Sequence, residues 1–438
     1  MQPDGGFGLG TSEVKRRHIL PKAVLVGLVA GLLASGFRVA LQGLERARVS
    51  WLGELPLVGR LPLAVALGAA GSALGLWLVR RFAPDAGGSG IPQLKGFVLG
   101  EHRLEWRRLI PVKFLAGVAG IGGGLALGRE GPTIQMGGAT GLMVSEWFRV
   151  KPGEGERKAL IAAGAGAGLA AAFNAPLAGL VFVLEELSGN FTPVVFVAAF
   201  LAAVTADVVG RVLTGEMAIF PLHEMSAPTV HALPAALVLG VFCGLGGVIF
   251  NRCLLKSLDL YACLRWPGWA IGALAGGVVG LASGIDPSVG GSGGLMAERA
   301  LMGEIAGRGL LMLLAIRFLL TMASYGSGAA GGIFAPLLVL GALGGLAFGQ
   351  GAHFVAPTWA AHPEVFAVIG MGGLLTAIVR APLTGIVLMI ELTGKYDFML
   401  PLLGCCLVAY GVAEALGDEP IYEALRMRSK RVAGTEQG

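Results

Sequence analysis

The stretch Gly128-Arg129-Glu130-Gly131-Pro132 decides how this chain is read. On one side Ile110 to Leu127 carries Lys113 as its only charge, and on the other Thr133 to Met143 carries none. Ionisable groups at membrane depth are costly, and those that persist mark a substrate or ion path. Gly128 and Gly131 expose backbone amides. Pro132 suits the first turn of a helix, where its missing N–H is not needed. The stretch therefore predicts a helix N-terminus aimed into a cavity, with a carboxylate at its tip. Such a terminus attracts anions. Glu130 is itself the anion when ionised and gives way to another when protonated. The alternative for the same residues is a structural pair between Glu130 and Arg129.

Composition sets the class around it. Of 438 residues, 55% are hydrophobic and 14% charged, with a mean hydropathy of +0.74. A soluble domain is charged at about 25% of positions, so this is a polytopic membrane protein. A cleavable leader is not expected: Lys15-Arg16-Arg17 precede an apolar run too long for a signal sequence. Seventy-three glycines suit close helix packing and broken helices. The five cysteines, at 243, 253, 263, 405 and 406, lie in or beside apolar segments without metal-ligand spacing, and read as reduced core residues. Neither a metal nor a cofactor is expected. The net charge of +5 suits basic cytoplasmic loops and gives no argument for nucleic acid.

In chain order, spans are expected at about 21–43 and 61–80, after a disordered or interfacial segment over 1–19. Gly87-Gly88-Ser89-Gly90-Ile91-Pro92 then opens a piece too short to cross a bilayer, which needs about 20 residues. It reads as a half-helix with Ser89 at its start. One long segment leads into Glu130 and on to Trp147, and another covers Ala159 to Phe173. After Asn174-Ala175-Pro176 a short helix ends at Glu185-Glu186, followed by a span at 193–212. Spans recur at about 232–255, 267–284, 308–325 and 364–379.

The second half repeats the first. At an offset of 206, Ala175, Pro176, Leu177, Gly179 and Glu185 meet Ala381, Pro382, Leu383, Gly385 and Glu391. Ser89 meets Ser292 at 203 and Pro132 meets Pro336 at 204. Three landmarks in one order mean a duplicated unit, about 20–212 and 232–428, within a membrane domain over 20–428. A short tail, 429–438, follows. Both ends are basic, which puts both in the cytoplasm. Equal halves with an odd number of crossings are then inverted repeats. Gly/Pro-interrupted segments at matching places point to a binding site at the bilayer midplane. The fold class is all-α, polytopic, with broken and half-length helices.

Gly88-Ser89-Gly90-Ile91-Pro92, Gly128-Arg129-Glu130-Gly131-Pro132 and Gly332-Ile333-Phe334-Ala335-Pro336, in this order, resemble the three anion-site signatures of the CLC chloride channel and transporter family. The resemblance covers about residues 20–428. It implies a homodimer with one pore per subunit. It also implies that Ser89 and the amides of Ile333 and Phe334 hold a central chloride, that amides near Gly131 form an outer site which Glu130 occupies as a gate, and that the Tyr422 hydroxyl faces the chloride from inside. Neutral donors suit an ion that must leave again.

The antiporters of that family share a second, inner glutamate that passes protons. Alignment through Asn174-Ala175-Pro176 puts Glu186 there, with Glu185 as its neighbour and nearest competitor. Lys113 matches a membrane lysine of the antiporters and is expected to offset carboxylate charge; Arg317 and Arg380 are expected to be structural. The chain ends soon after Tyr422, so the nucleotide-binding regulatory domains of larger relatives are not expected. Ser89 favours chloride over nitrate. The resemblance thus implies a secondary antiporter exchanging chloride for protons in a bacterial cytoplasmic membrane, with a passive gated chloride channel as the alternative. An intramembrane enzyme using these glutamates is the rival from another class, without a metal cluster or Ser–His pairing to support it.

Overall fold

The computed structural model describes residues 16–101, 103–151, 155–188, 192–215, 220 and 228–435. The first half runs α1 (Arg16–Gly53), α2 (Leu57–Phe82), α3 (Ile91–Val98), α4 (Trp106–Gly122), α5 (Glu130–Trp147), α6 (Gly155–Phe173), α7 (Pro176–Phe182) and α8 (Pro193–Thr214). The second runs α9 (Leu233–Cys263), α10 (Gly268–Ile285), α11 (Gly294–Leu301), α12 (Gly307–Gly326), α13 (Phe334–Val355), α14 (Val365–Val379), α15 (Pro382–Thr393), α16 (Met399–Ala415) and α17 (Ile421–Thr435). Eight helices among the described residues are long and apolar enough to cross a membrane. No strand forms among these residues; one isolated β-bridge joins Gly128 and Gly332.

The two halves break their helices by the same chemistry. Ahead of α3, Gly88 and Gly90 take φ of +61° and +84°; ahead of α11, Gly291 and Gly293 take +71° and +78°. Side chains rarely adopt this left-handed region, so the repeated glycines let the chain turn sharply into each half-helix. The short helices α7 and α15 both begin with proline at the first turn, where no N–H is lost.

Close packing then places α5 and α6 at the centre. A β-carbon on Gly137 would collide with the Gly164 carbonyl, and the reverse is also true. Gly341 of α13 and Gly370 of α14 repeat the contact. Small residues let helix backbones approach where apolar lipid gives no hydrophobic drive to associate. Glu130 to Ser145 and Ala159 to Phe173 are wholly buried. The glycine-rich helix that carries Glu130 is therefore surrounded by protein.

Several expectations change. α1 begins at Arg16, so residues 16–19 are helical; the rest of the N-terminal segment lies outside the described residues. The segment leading to Glu130 is two helices, because α4 stops at Gly122 and α5 starts at Glu130. The transmembrane helices α13 and α16 were not read as spans; Pro401 sits in the first turn of α16, where it starts the helix. Cys243, Cys405 and Cys406 are buried free thiols, whereas Cys253 is half-buried and Cys263 exposed. α9 runs to Cys263, past the expected end near 255, and its last turns keep Leu255, Leu258 and Tyr261 half-buried against the core.

Candidate functional site

The three signature stretches meet at one point. Gly128 N–H donates to Gly332 O at 2.7 Å, and Gly332 N–H donates to Gly128 O at 2.8 Å. This reciprocal pair sets the starts of α5 and α13 side by side. Gly88 N–H donates to Gly328 O at 3.3 Å and its carbonyl accepts from Gly331 N–H at 3.1 Å, bringing the start of α3 to the same place. A β-carbon on Gly131 would lie 2.9 Å from both Ser89 O and Gly332 Cα, so only glycine permits this approach. Each helix brings first-turn amides that have no intrahelical acceptor.

Glu130 is 2% exposed, and its side chain turns back onto α13: Ala335 N–H donates to its Oε2 at 3.3 Å. Arg129 Nε is 3.9 Å from Oε1, and Arg129 also donates to Ala172 O at 3.3 Å. The pair with Arg129 is thus the looser contact. In the first turn of α13, Pro336 has no N–H and Leu337 N–H closes onto Ile333 O at 2.9 Å. The amides of Ile333 and Phe334 are left without an acceptor among the described residues. The Phe334 ring is held between Phe173, 6.3 Å away, and Phe182, 5.8 Å away, which fixes this helix start. A cavity of about 440 Å³, lined by Arg38, Glu45, Arg129, Glu130, Ser292 and Glu298 among others, opens beside the carboxylate.

Ser89 is 1% exposed, and its hydroxyl faces that of Tyr325, which donates to it across 3.5 Å. Tyr422 is fully buried, and its hydroxyl has no partner among the described residues. Its helix, α17, packs on α3, where Lys95 Nζ lies 3.7 Å from the neighbouring Glu423. The structure therefore brings Ser89, Glu130, Gly131, Ile333 and Phe334 together, with the helix of Tyr422 packed on the half-helix that follows Ser89. Uncharged hydroxyls and helix-end amides around a buried point can hold an anion weakly enough to release it.

The adjacent glutamates part company on a π-helical turn, Val183–Ser188. Such turns rotate neighbouring side chains off the α-helical register. Glu185 accepts from Leu383 N–H at 2.9 Å, Thr384 N–H at 2.7 Å and Thr384 Oγ1 at 2.7 Å. Reciprocally, Glu391 on α15 accepts from Leu177 N–H at 3.0 Å and Ala178 N–H at 2.7 Å. Each short helix thus carries the cap of the other. Glu186, buried, instead accepts from Lys95 Nζ at 2.9 Å. Lys95 lies on the half-helix begun by Ser89, and its Nζ is also 3.7 Å from Glu423, the neighbour of Tyr422.

Glu423 pairs with Arg426, which binds Glu101 at 2.5 Å. Lys430 reaches Glu101 at 2.5 Å. At this surface the Arg426 hydrogen bond holds the Glu423 carboxyl below its ordinary range. Lys430 and then Arg426 do the same for Glu101.

Lys113 is fully buried and donates to Ala86 O at 2.9 Å and Gly88 O at 2.7 Å. It forms no ion pair among the described residues, which corrects the expectation that it offsets a carboxylate. Arg317, in the matching place of the second half, donates to Val289 O at 3.0 Å and Ser292 O at 2.9 Å. Both cations tie down the loop ahead of a half-helix. Lys95 and Tyr325 were missed by sequence reading. A single lysine in an eight-residue helix was the available signal for Lys95; nothing local marked Tyr325.

Inverted halves, half-helices and helix starts converging on a buried carboxylate define a membrane transport protein with its site at the repeat interface. The profile described as voltage gated chloride channel matches residues 70–414, and the chain belongs to this family. It is 41% identical over 421 residues to the H(+)/Cl(-) exchange transporter ClcA of Vibrio parahaemolyticus, covering 94% of this chain and 90% of that one. It is 40% identical over 419 residues to ClcA of Yersinia pestis, covering 94% and 87%. Among solved structures, a slow cyanobacterial Cl-/H+ antiporter matches with a TM-score of 0.88 at 39% identity, covering 94% of this chain and 97% of that one.

Proposed function

We propose that this chain is a secondary transporter that exchanges chloride for protons, with Glu130 as gate and Glu186 as inner proton relay. The observation that carries the reading is the Glu130 carboxylate on the opening turn of α13, 3.3 Å from the Ala335 amide. There it holds an anion's place between the side cavity and the Ser89–Tyr422 point. A neutral side chain has no claim on that place, so protonation opens the path. Chloride then exchanges among the Ser89 hydroxyl, the Ile333 and Phe334 amides, the Gly131 amide and the Tyr422 hydroxyl. A buried donor without an acceptor costs about 1–3 kcal/mol, and an anion is the acceptor that Tyr422 fits.

The inner relay rests on Glu186 alone. Glu185 is committed to capping α15, and Lys113 to holding a loop. The named ClcA relatives and the cyanobacterial antiporter support exchange. The alternative is a passive gated chloride channel, in which Glu186 keeps its ion pair with Lys95 and carries no proton. Glu130→Gln decides the gate. Chloride flux in proteoliposomes should persist and proton flux vanish; a variant that still pumps protons uphill sinks the assignment.

The reading carries further expectations. Residues 20–428 form the transport unit, its halves 20–212 and 232–428, in a bacterial cytoplasmic membrane with both ends inside. No cofactor is needed, and the protein is a transporter rather than an enzyme. Two copies pair through α7, α8, α15 and α16, which expose Leu177, Phe200, Leu383, Leu400 and Leu407. Single cysteines over 193–205, on a background without native cysteines, should cross-link subunits; no dimer band from any of them places the contact elsewhere.

A further inference from the structure

Inverted repetition gives the Ser89 loop a counterpart, Gly290-Gly291-Ser292-Gly293, at the start of α11. Ser292 and Gly294 line the same 440 Å³ cavity as Glu130. A carboxylate already sits on this start: Ser292 N–H donates to Glu45 Oε1 at 2.9 Å. Ala297 N–H closes the first turn onto Gly293 O at 3.1 Å, so the amides before it have no intrahelical acceptor. Glu45 thus stands to α11 as Glu130 stands to α13.

A second observation comes from the same loop, behind the cavity wall. Arg48, 4% exposed, leaves Nε and Nη1 without partners among the described residues. Its guanidinium lies against the same loop: a β-carbon on Gly290 would fall 3.1 Å from Nη1, and one on Gly291 3.3 Å from Nη2. A buried guanidinium with unpaired N–H groups is costly unless an anion faces it. Arg317 adds positive charge from α12 at the same loop, where it donates to Ser292 O at 2.9 Å. Across the cavity, Arg38 and Arg129 favour an anion, while Glu130 and Glu298 oppose it.

We propose that the start of α11, with the Ser292 amide and the Arg48 guanidinium, is a second site for a chloride-sized monovalent anion, held closed by the Glu45 carboxylate. The proposal rests on the reading that the cavity beside Glu130 lies on the anion path. An ion waiting there raises the local anion concentration just outside the Glu130 gate.

Bromide is the probe, read by anomalous diffraction from crystals of the full chain at neutral pH. Glu45→Ala should show a bromide peak within hydrogen-bond distance of Ser292 N and the Arg48 guanidinium, and the unaltered protein should show none there. A variant without that peak overturns the proposal, as does a peak in the unaltered protein beside an unmoved Glu45. The Ser89 position in the same crystals tests the earlier reading separately, since a peak at α11 with none at Ser89 supports this site and counts against that one. If Glu45→Ala fails to fold, the near-isosteric Glu45→Gln serves in flux assays. Half-saturating chloride on the Glu130 side should fall about tenfold, equivalent to about 1.4 kcal/mol, and an unchanged value overturns the proposal.

Discussion

Replacing Glu185 by alanine removes three hydrogen bonds from the opening turn of α15: two amides, at 2.9 and 2.7 Å, and the Thr384 hydroxyl at 2.7 Å. Loss of a helix N-cap costs about 0.5–2 kcal/mol. Removing its negative charge from a helix start costs about 0.3–1 kcal/mol more. Thr384 is 1% exposed, so its stranded hydroxyl adds about 1–3 kcal/mol. The three bonds belong to one helix start and one carboxylate, so the terms do not add in full. The expected destabilisation is about 2–4 kcal/mol. Glu391→Ala, which frees two amides and no hydroxyl, should cost about 1–2 kcal/mol. Reversible unfolding in mixed SDS–maltoside micelles, followed by circular dichroism, measures both. Glu185→Gln should keep normal proton coupling, because this carboxylate caps a helix. A loss below about 0.5 kcal/mol in Glu185→Ala, or lost proton transport at unchanged stability in Glu185→Gln, refutes the capping argument.

Glu186→Gln keeps shape and hydrogen bonding but removes titration, so chloride flux should persist and proton flux should disappear; proton pumping at normal coupling would place the relay elsewhere. The surface clamp that holds α17 to Glu101 gives a pH dependence. Glu101 and Glu423 bind protons less readily when folded, so the clamp is intact above the ordinary carboxylate range of about 4.3 and is lost as pH falls through the lower folded values. A spin label at Met427 should keep constant mobility from about pH 8 to 5 and loosen below about pH 4; loosening near neutral pH contradicts this linkage.

Local chemistry made much of the architecture legible. Prolines at helix starts and the repeated Gly-Gly-Ser-Gly gave the breaks and the half-helices, because each imposes a backbone restriction wherever it occurs. Residues 123–129, between α4 and α5, were not legible: Gly122, Gly123 and Gly124 do not reveal which of them ends a helix. The points of contact at the site were visible as motifs, but their convergence depends on the Gly128–Gly332 bridge, a long-range pairing with no sequence period. Lys113 and Glu185 show the limit most clearly. Both looked like charges waiting for a proton or a counter-ion. Their partners are mainly backbone groups: the Ala86 and Gly88 carbonyls for one, and for the other two amides, with the Thr384 hydroxyl, at the start of α15. Backbone partners leave no trace in side-chain chemistry. The offset of 204 from Lys113 to Arg317 was the one available clue, since the same job recurs in both halves.

The central claim is coupled exchange through a carboxylate gate, and the reversal potential of purified protein in planar bilayers tests it most directly. With chloride fixed on both sides, imposing a pH gradient should move the reversal potential, and Glu130→Gln should abolish that movement while leaving chloride current. A reversal potential that follows the chloride gradient alone, whatever the pH gradient, would contradict the account and make the protein a channel.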